Sequence, residues 1–343
     1  MVRLNARVEI DSPRRFSDGL LLDIVRALRA IEDGERFAIK APSDVRDELS
    51  TWSQLTGNPI VGVTDEEGGT RFVIRRGAAR GITDDARPVP SRVWLYTNFD
   101  CNLACSYCCV RSSPRALRRA LGQDVVEKLV AELSREQVSE VFITGGEPFL
   151  VPDIAAIAKS CAALAPTTIL TNGMLFEGKR RTALEALARD RVTLQISIDS
   201  PTPSLHDLHR GKGSFDRAMR GVTLARSLGF RVRLAATVAT EHDEQSFRAY
   251  LDEQGIPAED RVIRRVALRG FADDGVALTR AELHPELTIT SSGIYWHPVG
   301  ADDADMLVTR ELFPIREAIE KMREMRLVDV AYHAAVGSVF HCA

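Results

Sequence analysis

Four of the six cysteines in this chain lie within nine residues, at Cys101, Cys105, Cys108 and Cys109. They follow a β-like run at residues 92–97, so the sequence places them on a loop at the end of a strand. Three thiolates on one short loop can hold a cubane 4Fe-4S cluster and leave one iron without a protein ligand. Since that iron is free to bind a substrate or cofactor, we interpret the loop as the cluster site of an iron-sulfur enzyme.

Clustered cysteines have two other common uses. Four thiolates can close a tetrahedral zinc site, but Cys108 and Cys109 are adjacent, and neighbouring side chains rarely converge on one small ion. Disulfide bonds are typical of exported proteins, and we expect no export because the sequence shows no hydrophobic leader. Structural zinc stays open as the weaker alternative, and disulfides are not expected.

A second strand-like run, at residues 138–144, ends in Gly145, Gly146, Glu147 and Pro148. The glycines would let a ligand approach the backbone closely, and the glutamate offers an acceptor for an ammonium group. The proline fixes the direction in which the chain leaves the strand. Alone, this motif is most often a turn before a helix. After a CX3CX2C loop and a strand, it indicates a ligand site.

These two motifs resemble those of the radical SAM superfamily. In that family the three cysteines, here Cys101, Cys105 and Cys108, bind the cluster, and the open iron chelates the amino and carboxylate groups of S-adenosylmethionine (SAM). The residue before the third cysteine is commonly aromatic and lies near adenine, which corresponds to Tyr107. The resemblance implies a 4Fe-4S cluster and SAM as cofactors, with an external electron donor of the flavodoxin or ferredoxin type.

Weaker motifs extend the resemblance over residues 92–268. Residues 171–173 match a common ending of the third strand, and residues 197–200 end the fourth strand, where the family often places ribose contacts. Arg210 corresponds to an arginine that often meets the SAM carboxylate, although a solvated surface charge is the alternative for it. The SAM-binding residues that the resemblance implies are Tyr107, Gly145, Gly146, Glu147, Ser197, Asp199 and Arg210.

A site of this kind implies reductive cleavage of SAM. One electron enters the sulfonium, a carbon-sulfur bond breaks, and a 5′-deoxyadenosyl radical abstracts hydrogen from the substrate. Such chemistry requires a site that excludes water and stray hydrogen donors. Cys109 and Cys342 are candidate hydrogen donors to a product radical, with buried packing the alternative for Cys109 and a mobile chain end the alternative for Cys342.

From residue 92 onward, strand-like and helical patterns alternate. The strand-like runs lie at residues 93–97, 138–144, 168–171, 193–198, 231–238 and 262–267, and the helical stretches at 123–136, 152–164, 180–188, 214–228 and 243–254. This order predicts a parallel sheet with right-handed crossovers, and the resemblance makes it a partial (β/α)6 barrel with the cofactors at the carboxyl ends of the strands.

Residues 269–343 form a C-terminal extension that completes the barrel or covers its mouth. We predict a hairpin at residues 287–297 and an amphipathic helix at residues 314–325. Cys342 is the only cysteine of the extension, so we expect no auxiliary cluster.

Residues 1–77 follow another pattern: strand, helix, strand, helix and two strands, joined to the barrel by a linker at residues 78–91. This small α/β sandwich resembles the TusA-like sulfur-carrier fold. The matching segments lie at residues 31–35, 45–49 and 71–76. A sulfur carrier needs a cysteine at the start of its first helix, where the helix dipole lowers the thiol pKa, but Ser17 falls at that position. We therefore predict a docking or gating role.

The composition fits an enzyme of about two domains, with 343 residues and 45% hydrophobic content. Lys and Arg number 45 against 48 Asp and Glu, so the net charge of -3 gives no case for binding nucleic acid or a membrane. We expect a cytoplasmic radical SAM enzyme acting on a small molecule, such as a sugar or nucleoside natural product. The alternatives are radical sulfur insertion linked to the TusA-like domain and a non-catalytic iron-sulfur or zinc protein.

Overall fold

The computed structural model describes residues 6–15, 20–32, 34–56, 58–76 and 88–336. The chain divides into two compact units. The N-terminal unit comprises residues 1–86, 281–283 and 325–343, and the barrel unit comprises residues 87–280 and 284–324. In the described part of the chain, no helix is both long enough and apolar enough to cross a membrane.

The N-terminal unit has the predicted order of strands and helices. Its elements are β1 (Val8–Asp11), α1 (Leu20–Arg29), β2 (Arg36–Ala41), α2 (Arg46–Thr56), β3 (Ile60–Glu66) and β4 (Gly69–Arg75). The sheet order is β1-β2-β4-β3, with only β1 and β2 parallel. Phe37 and Phe72, on the central strands, are buried against Leu20 and Ile24 of α1, which fixes the helix on the sheet. Ser17 lies outside the described residues.

The barrel unit alternates strands and helices as predicted. Its first part contains β5 (Arg92–Tyr96), α3 (Gln123–Leu133), β6 (Glu140–Thr144), α4 (Ile154–Leu164), β7 (Thr167–Thr171), α5 (Gly178–Glu185), β8 (Val192–Ser197), α6 (Pro203–Arg210), α7 (Ser214–Ser227), β9 (Val232–Val238), α8 (Glu241–Glu253) and β10 (Arg261–Arg265). The chain continues with β11 (Leu287–Thr290), β12 (Gly293–Tyr295), β13 (Leu307–Thr309) and α9 (Ile315–Val336), of which the residues from 325 onward are assigned to the N-terminal unit.

The nine strands form one open sheet in the order β10-β9-β8-β7-β6-β5-β11-β12-β13. Strands β5 to β10 are parallel, and β11 adds a further parallel strand beside β5. The last two strands are antiparallel, so the C-terminal extension lengthens the sheet through a hairpin. The predicted α/β class with a partial barrel is therefore confirmed.

The two faces of this sheet differ in chemistry because side chains alternate along each strand. One face is aliphatic and buried, with Val93, Leu95, Val141, Ile143, Ile169, Leu194, Ile196 and Leu234. The other, which we call the inner face, carries Trp94, Tyr96, Phe142, Thr168, Gln195, Thr237 and Arg264, as the strand register requires. The indole of Trp94 stacks on Phe142 with ring centroids 4.2 Å apart. Polar groups are thus confined mainly to the inner face.

Two helices differ from the prediction. Helix α9 continues to Val336, beyond the predicted end at residue 325. The segment after β8 forms α6, a helix that the prediction lacks, with Pro203 in its first turn. Proline suits the first turn of a helix because its nitrogen has no N–H to leave unpaired there. The short strand β13 was also not predicted.

Candidate functional site

The cysteine loop begins where β5 ends and is held by the buried Asn98. The Asn98 side-chain amide donates to the carbonyl of Asp100 at 2.8 Å and to the carbonyl of Glu147 at 3.1 Å. The Cys101 N–H donates to Ser113 at 3.2 Å, which closes the loop on itself. Asn98 was not predicted as a site residue, although an Asn just after a strand commonly stabilises a turn through its side-chain hydrogen bonds.

The three predicted cluster cysteines are free thiols on this loop. The Leu103 N–H donates to Cys101 Sγ at 3.4 Å, and the Ser112 N–H donates to Cys108 Sγ at 3.2 Å. Such bonds stabilise ligating thiolates, so the donor set fits a 4Fe-4S cluster. No three His, Cys, Asp or Glu side chains of the described residues are placed to hold a single metal ion.

Burial controls the ionisation of the Cys101 and Cys105 thiols. Burial raises the pKa of Cys101 to about 12 and also raises the pKa of Cys105. Without metal, these thiols are therefore protonated near neutral pH. Binding iron requires the thiolates, so cluster assembly releases protons.

The two glycines after β6 allow close packing within the protein. A Cβ on Gly145 would lie 2.4 Å from Asn98 Oδ1, and a Cβ on Gly146 would lie 2.2 Å from the carbonyl oxygen of Asp100. Both contacts are far below van der Waals distance. On the side of each glycine where a Cβ would lie, the segment just before Cys101 makes the close approach that was predicted for a ligand.

A Gly146→Ala substitution is expected to destabilise the protein by about 1 to 3 kcal/mol, because the new Cβ overlaps backbone and pushes the cysteine loop aside. Thermal unfolding and the iron content after reconstitution measure this effect. The matched control is Gly122→Ala, where the Cβ meets nothing within 4 Å, so we expect a change below about 1 kcal/mol. Equal thermal stability and equal iron content in Gly146→Ala and Gly122→Ala would contradict this packing argument.

Glu147 is fully buried and bonded within the protein. Its carboxylate accepts from Thr171 Oγ1 at 2.7 Å, from the Asn172 N–H at 2.8 Å and from the Phe149 N–H at 3.1 Å. Burial raises the pKa of Glu147, and these hydrogen bonds oppose that rise. The side chain therefore ties β6 to β7. These bonds use part of the acceptor capacity of the carboxylate, and the role of Glu147 as an ammonium acceptor stays a prediction.

Tyr107, Asp199 and Arg210 meet in one buried group. Arg210 Nε donates to Asp199 Oδ2 at 2.5 Å, and Arg210 Nη2 donates to Asp199 Oδ1 at 3.1 Å. The Tyr107 hydroxyl donates to Asp199 Oδ2, and the Thr237 N–H donates to Asp199 Oδ1 at 3.1 Å. Asp199 thus accepts four hydrogen bonds from the protein, so it holds Tyr107 and Arg210 in place.

Electrostatics stabilise this group in its charged form. Burial alone would raise the pKa of Asp199, but the charge of Arg210 and the hydrogen bonds from Arg210, Tyr107 and Thr237 bring it below its ordinary value. Burial would likewise lower the pKa of Arg210, but the negative charge of Asp199 keeps it well above its ordinary value. Because the Arg210 side chain is only 10% exposed, the alternative of a solvated surface charge is wrong.

The end of α6 holds the cysteine loop from the side. The Ser106 N–H donates to the carbonyl of His209 at 3.2 Å, and Ser106 Oγ lies 3.1 Å from His209 Nδ1. A pocket of about 430 Å³ lies between the loop and this helix end, with walls that include Ala104, Met174 and Arg210. The helix that the prediction lacked therefore positions the loop.

Ser197 and Cys109 are the remaining predicted site residues that the structure describes. Ser197 ends β8 and is partly exposed. Cys109 packs with Cys108 against the apolar group of Tyr96, Phe99, Val110 and Ala301, and burial raises its pKa to about 12. This packing is the alternative given above for Cys109, and its role as a hydrogen donor stays a prediction. Cys342 lies outside the described residues.

Comparisons with known proteins identify the class. Residues 95–253, which contain every site residue discussed above except Cys342, match the family profile of the Radical SAM superfamily. The chain therefore contains a radical SAM domain. Proteins of this family use a 4Fe-4S cluster and SAM.

Individual relatives match the same region. The chain is 33% identical over 155 residues to the antilisterial bacteriocin subtilosin biosynthesis protein AlbA of Bacillus subtilis (strain 168), a match over 44% of this chain and 34% of that protein. It is 34% identical over 137 residues to the GTP 3′,8-cyclase of Limosilactobacillus fermentum (strain NBRC 3956 / LMG 18251), over 38% of this chain and 40% of that protein. The chain thus matches well under half the length of these relatives.

Among solved structures, the fold is similar to native anSMEcpe with bound AdoMet. The TM-score is 0.55 at 14% sequence identity, and the alignment covers 70% of this chain and 84% of that one. At this identity the likeness supports the fold alone. It agrees with the partial barrel described above.

Proposed function

We propose that this protein is a radical SAM enzyme that cleaves SAM reductively and abstracts hydrogen from a small-molecule substrate. The observation that carries the proposal is the position of the three free thiols of the cysteine loop beside the buried group of Tyr107, Asp199 and Arg210. The thiols can ligate a cluster, and the Arg210 guanidinium can bind the carboxylate of SAM. Reductive cleavage of SAM requires both groups at the same end of the parallel sheet.

The protein's own residues would bind and orient the cofactors. Cys101, Cys105 and Cys108 would hold the cluster, which together with SAM supplies a 5′-deoxyadenosyl radical. Arg210 bonds Asp199 through Nε and Nη2, and its Nη1 has no hydrogen-bond partner among the described residues. Nη1 is thus available for the SAM carboxylate. Tyr107, fixed by Asp199, would lie against the adenine.

A small molecule, such as a sugar or nucleoside natural product, is the preferred substrate class. The name of the GTP 3′,8-cyclase relative includes a nucleotide, which supports this choice. The name of the relative AlbA includes a bacteriocin, so a peptide is the second candidate. The proposal includes a cytoplasmic location and an external electron donor of the flavodoxin or ferredoxin type.

The N-terminal unit is proposed to be a TusA-like module that serves for docking or gating. Its element order and its sheet order β1-β2-β4-β3 support a compact α/β sandwich. The residue at the carrier position is Ser17, which cannot form a persulfide. Sulfur insertion, the weaker alternative, would need sulfur from another source, such as a sacrificed cluster or a donor protein.

The test is anaerobic reconstitution with iron and sulfide, followed by reduction in the presence of SAM and chromatography of the adenosyl products. We expect 5′-deoxyadenosine. Methylthioadenosine would instead indicate transfer of the aminocarboxypropyl arm of SAM. Neither product, from protein with a reducible cluster and with candidate substrates of both classes present, would contradict the proposal and favour a binding protein.

A further inference from the structure

The inner face of the sheet carries an arginine outside the site described above. Arg264 of β10 pairs in register with Thr237 of β9, whose N–H bonds Asp199. Residues paired in a parallel sheet point to the same face. Arg264 therefore lies on the inner face, at the level of Asp199 and so at the cofactor end of the sheet.

Arg264 is exposed to solvent at this end of the inner face. The surrounding protein still lowers its pKa, because burial disfavours the charged guanidinium. The charges that act on it are those of Glu286, Cys109, Tyr96 and Arg92. The Arg264 side chain is thus close to Cys109, at the end of the cysteine loop.

No hydrogen bond or ion pair satisfies the Arg264 guanidinium among the described residues. The other arginines of β10 do have partners: Arg261 bonds Asp252 at 2.5 Å, and Arg265 lies 3.8 Å from Glu244. The nearby carboxylate of Glu286 already accepts from Trp94 Nε1 and from Arg92 Nη1. A partly desolvated guanidinium without a carboxylate is costly unless a ligand pairs with it.

The adjacent histidine cannot compete for an anion. Burial lowers the pKa of His297 to about 3, and the charge of Arg264 contributes to this, so the ring is neutral near pH 7. Its Nδ1 accepts from the Val299 N–H at 3.2 Å, so His297 adds no positive charge beside Arg264. A guanidinium can bind the two oxygens of one oxyanion through parallel hydrogen bonds.

We propose that Arg264 binds the substrate and that the substrate carries an oxyanion, a carboxylate or a phosphate. This inference rests on the proposed function and narrows its substrate class. An anion held at Arg264 would place the rest of a small molecule along the inner face, beside the cofactors.

The experiment is calorimetry on the reconstituted protein with SAM already bound, so that SAM occupies its own carboxylate site. The probes are inorganic phosphate, pyrophosphate and succinate, which separate a phosphate site from a carboxylate site. We expect Arg264→Gln to weaken binding of the preferred probe by about tenfold or more, and Arg264→Lys to give a smaller loss. The matched control is Arg265→Gln, on the opposite face of the same strand, which we expect to bind the probe like the wild type.

Three results would overturn the anion site. They are equal probe binding by the wild type and Arg264→Gln, no binding of any probe by the wild type at about 10 mM, and lost SAM affinity in Arg264→Gln with unchanged probe binding. The proposed function fails separately. Probe binding that depends on Arg264, in protein that forms no 5′-deoxyadenosine, would support the anion site and contradict the radical enzyme.

Discussion

Replacing Cys105 by alanine is expected to remove the cluster and to reduce SAM cleavage below detection. Cys101, Cys105 and Cys108 are the thiols on one loop that can ligate three irons, and a cubane with only two protein ligands is poorly held. The same result is expected for Cys101→Ala and Cys108→Ala. Iron and sulfide content, visible absorbance and 5′-deoxyadenosine formation measure the loss.

The matched control for these variants is Cys161→Ala. Cys161 is also a free, buried thiol, but it lies in α4 and packs among apolar residues. Its replacement is expected to cost about 1 kcal/mol of stability through the small cavity it leaves, with iron content unchanged. Full iron and full cleavage in Cys105→Ala would rule out the cluster assignment, and stoichiometric zinc in the wild type would favour the structural zinc alternative.

Replacing Asp199 by asparagine is expected to lower both stability and SAM affinity. The substitution leaves Arg210 charged and largely buried without its carboxylate. It also replaces one of the two acceptor oxygens by an NH2 donor, so the Tyr107 hydroxyl and Arg210 compete for the one oxygen that remains. Breaking a buried ion pair on one side costs about 3 to 5 kcal/mol. Urea unfolding measures the stability, and calorimetry with reconstituted protein measures the affinity for SAM.

A double variant separates structure from binding. Asp199→Asn combined with Arg210→Gln removes both charges, so no unpaired charge stays buried. We expect it to be more stable than Asp199→Asn alone, because the two residues are energetically coupled. The affinity for SAM should stay low, because the Arg210 guanidinium that is proposed to bind the SAM carboxylate is absent. Additive stability losses, or restored SAM binding, would contradict the role given to this pair.

The ion pair of Asp199 and Arg210 also predicts that the stability of the protein depends on pH. The pKa of Asp199 is lower in the folded state than in the unfolded chain, so its contribution to stability is fully present above the unfolded value of about 4. That contribution is lost as the pH falls through the lower, folded pKa. Asparagine does not titrate, so the free energy of unfolding of Asp199→Asn should fall less than that of the wild type as the pH is lowered.

Strand positions could be predicted because burial imposes a pattern on sequence. In β6 and β8 the aliphatic side chains recur on the face that the helices cover, so the runs are visible without a structure. Helix α6 had a signal as well, with Thr202 before Pro203 in the first helical turn. It was missed because Arg210, the last residue of this helix, was considered only as a cofactor contact.

Side-chain hydrogen bonds between residues far apart in the sequence could not be predicted in the same way. Tyr107 and Arg210 share Asp199 although Tyr107 lies 92 residues from it, and no local pattern encodes a contact at that separation. Glu147 is similar: the motif identified its position, but only the fold brings Thr171 and Asn172 to its carboxylate. Sequence thus located the candidate site, and the tertiary structure decides which side chains support it and which can face a ligand.

The central claim is that one iron of a cluster held by the cysteine loop binds SAM directly. Electron-nuclear double resonance on the reduced cluster, with SAM labelled with 15N at its amino group, tests it. We predict a 15N hyperfine coupling that is absent with unlabelled SAM and lost in Cys105→Ala. A reduced cluster whose spectrum is unchanged by saturating labelled SAM would contradict the account.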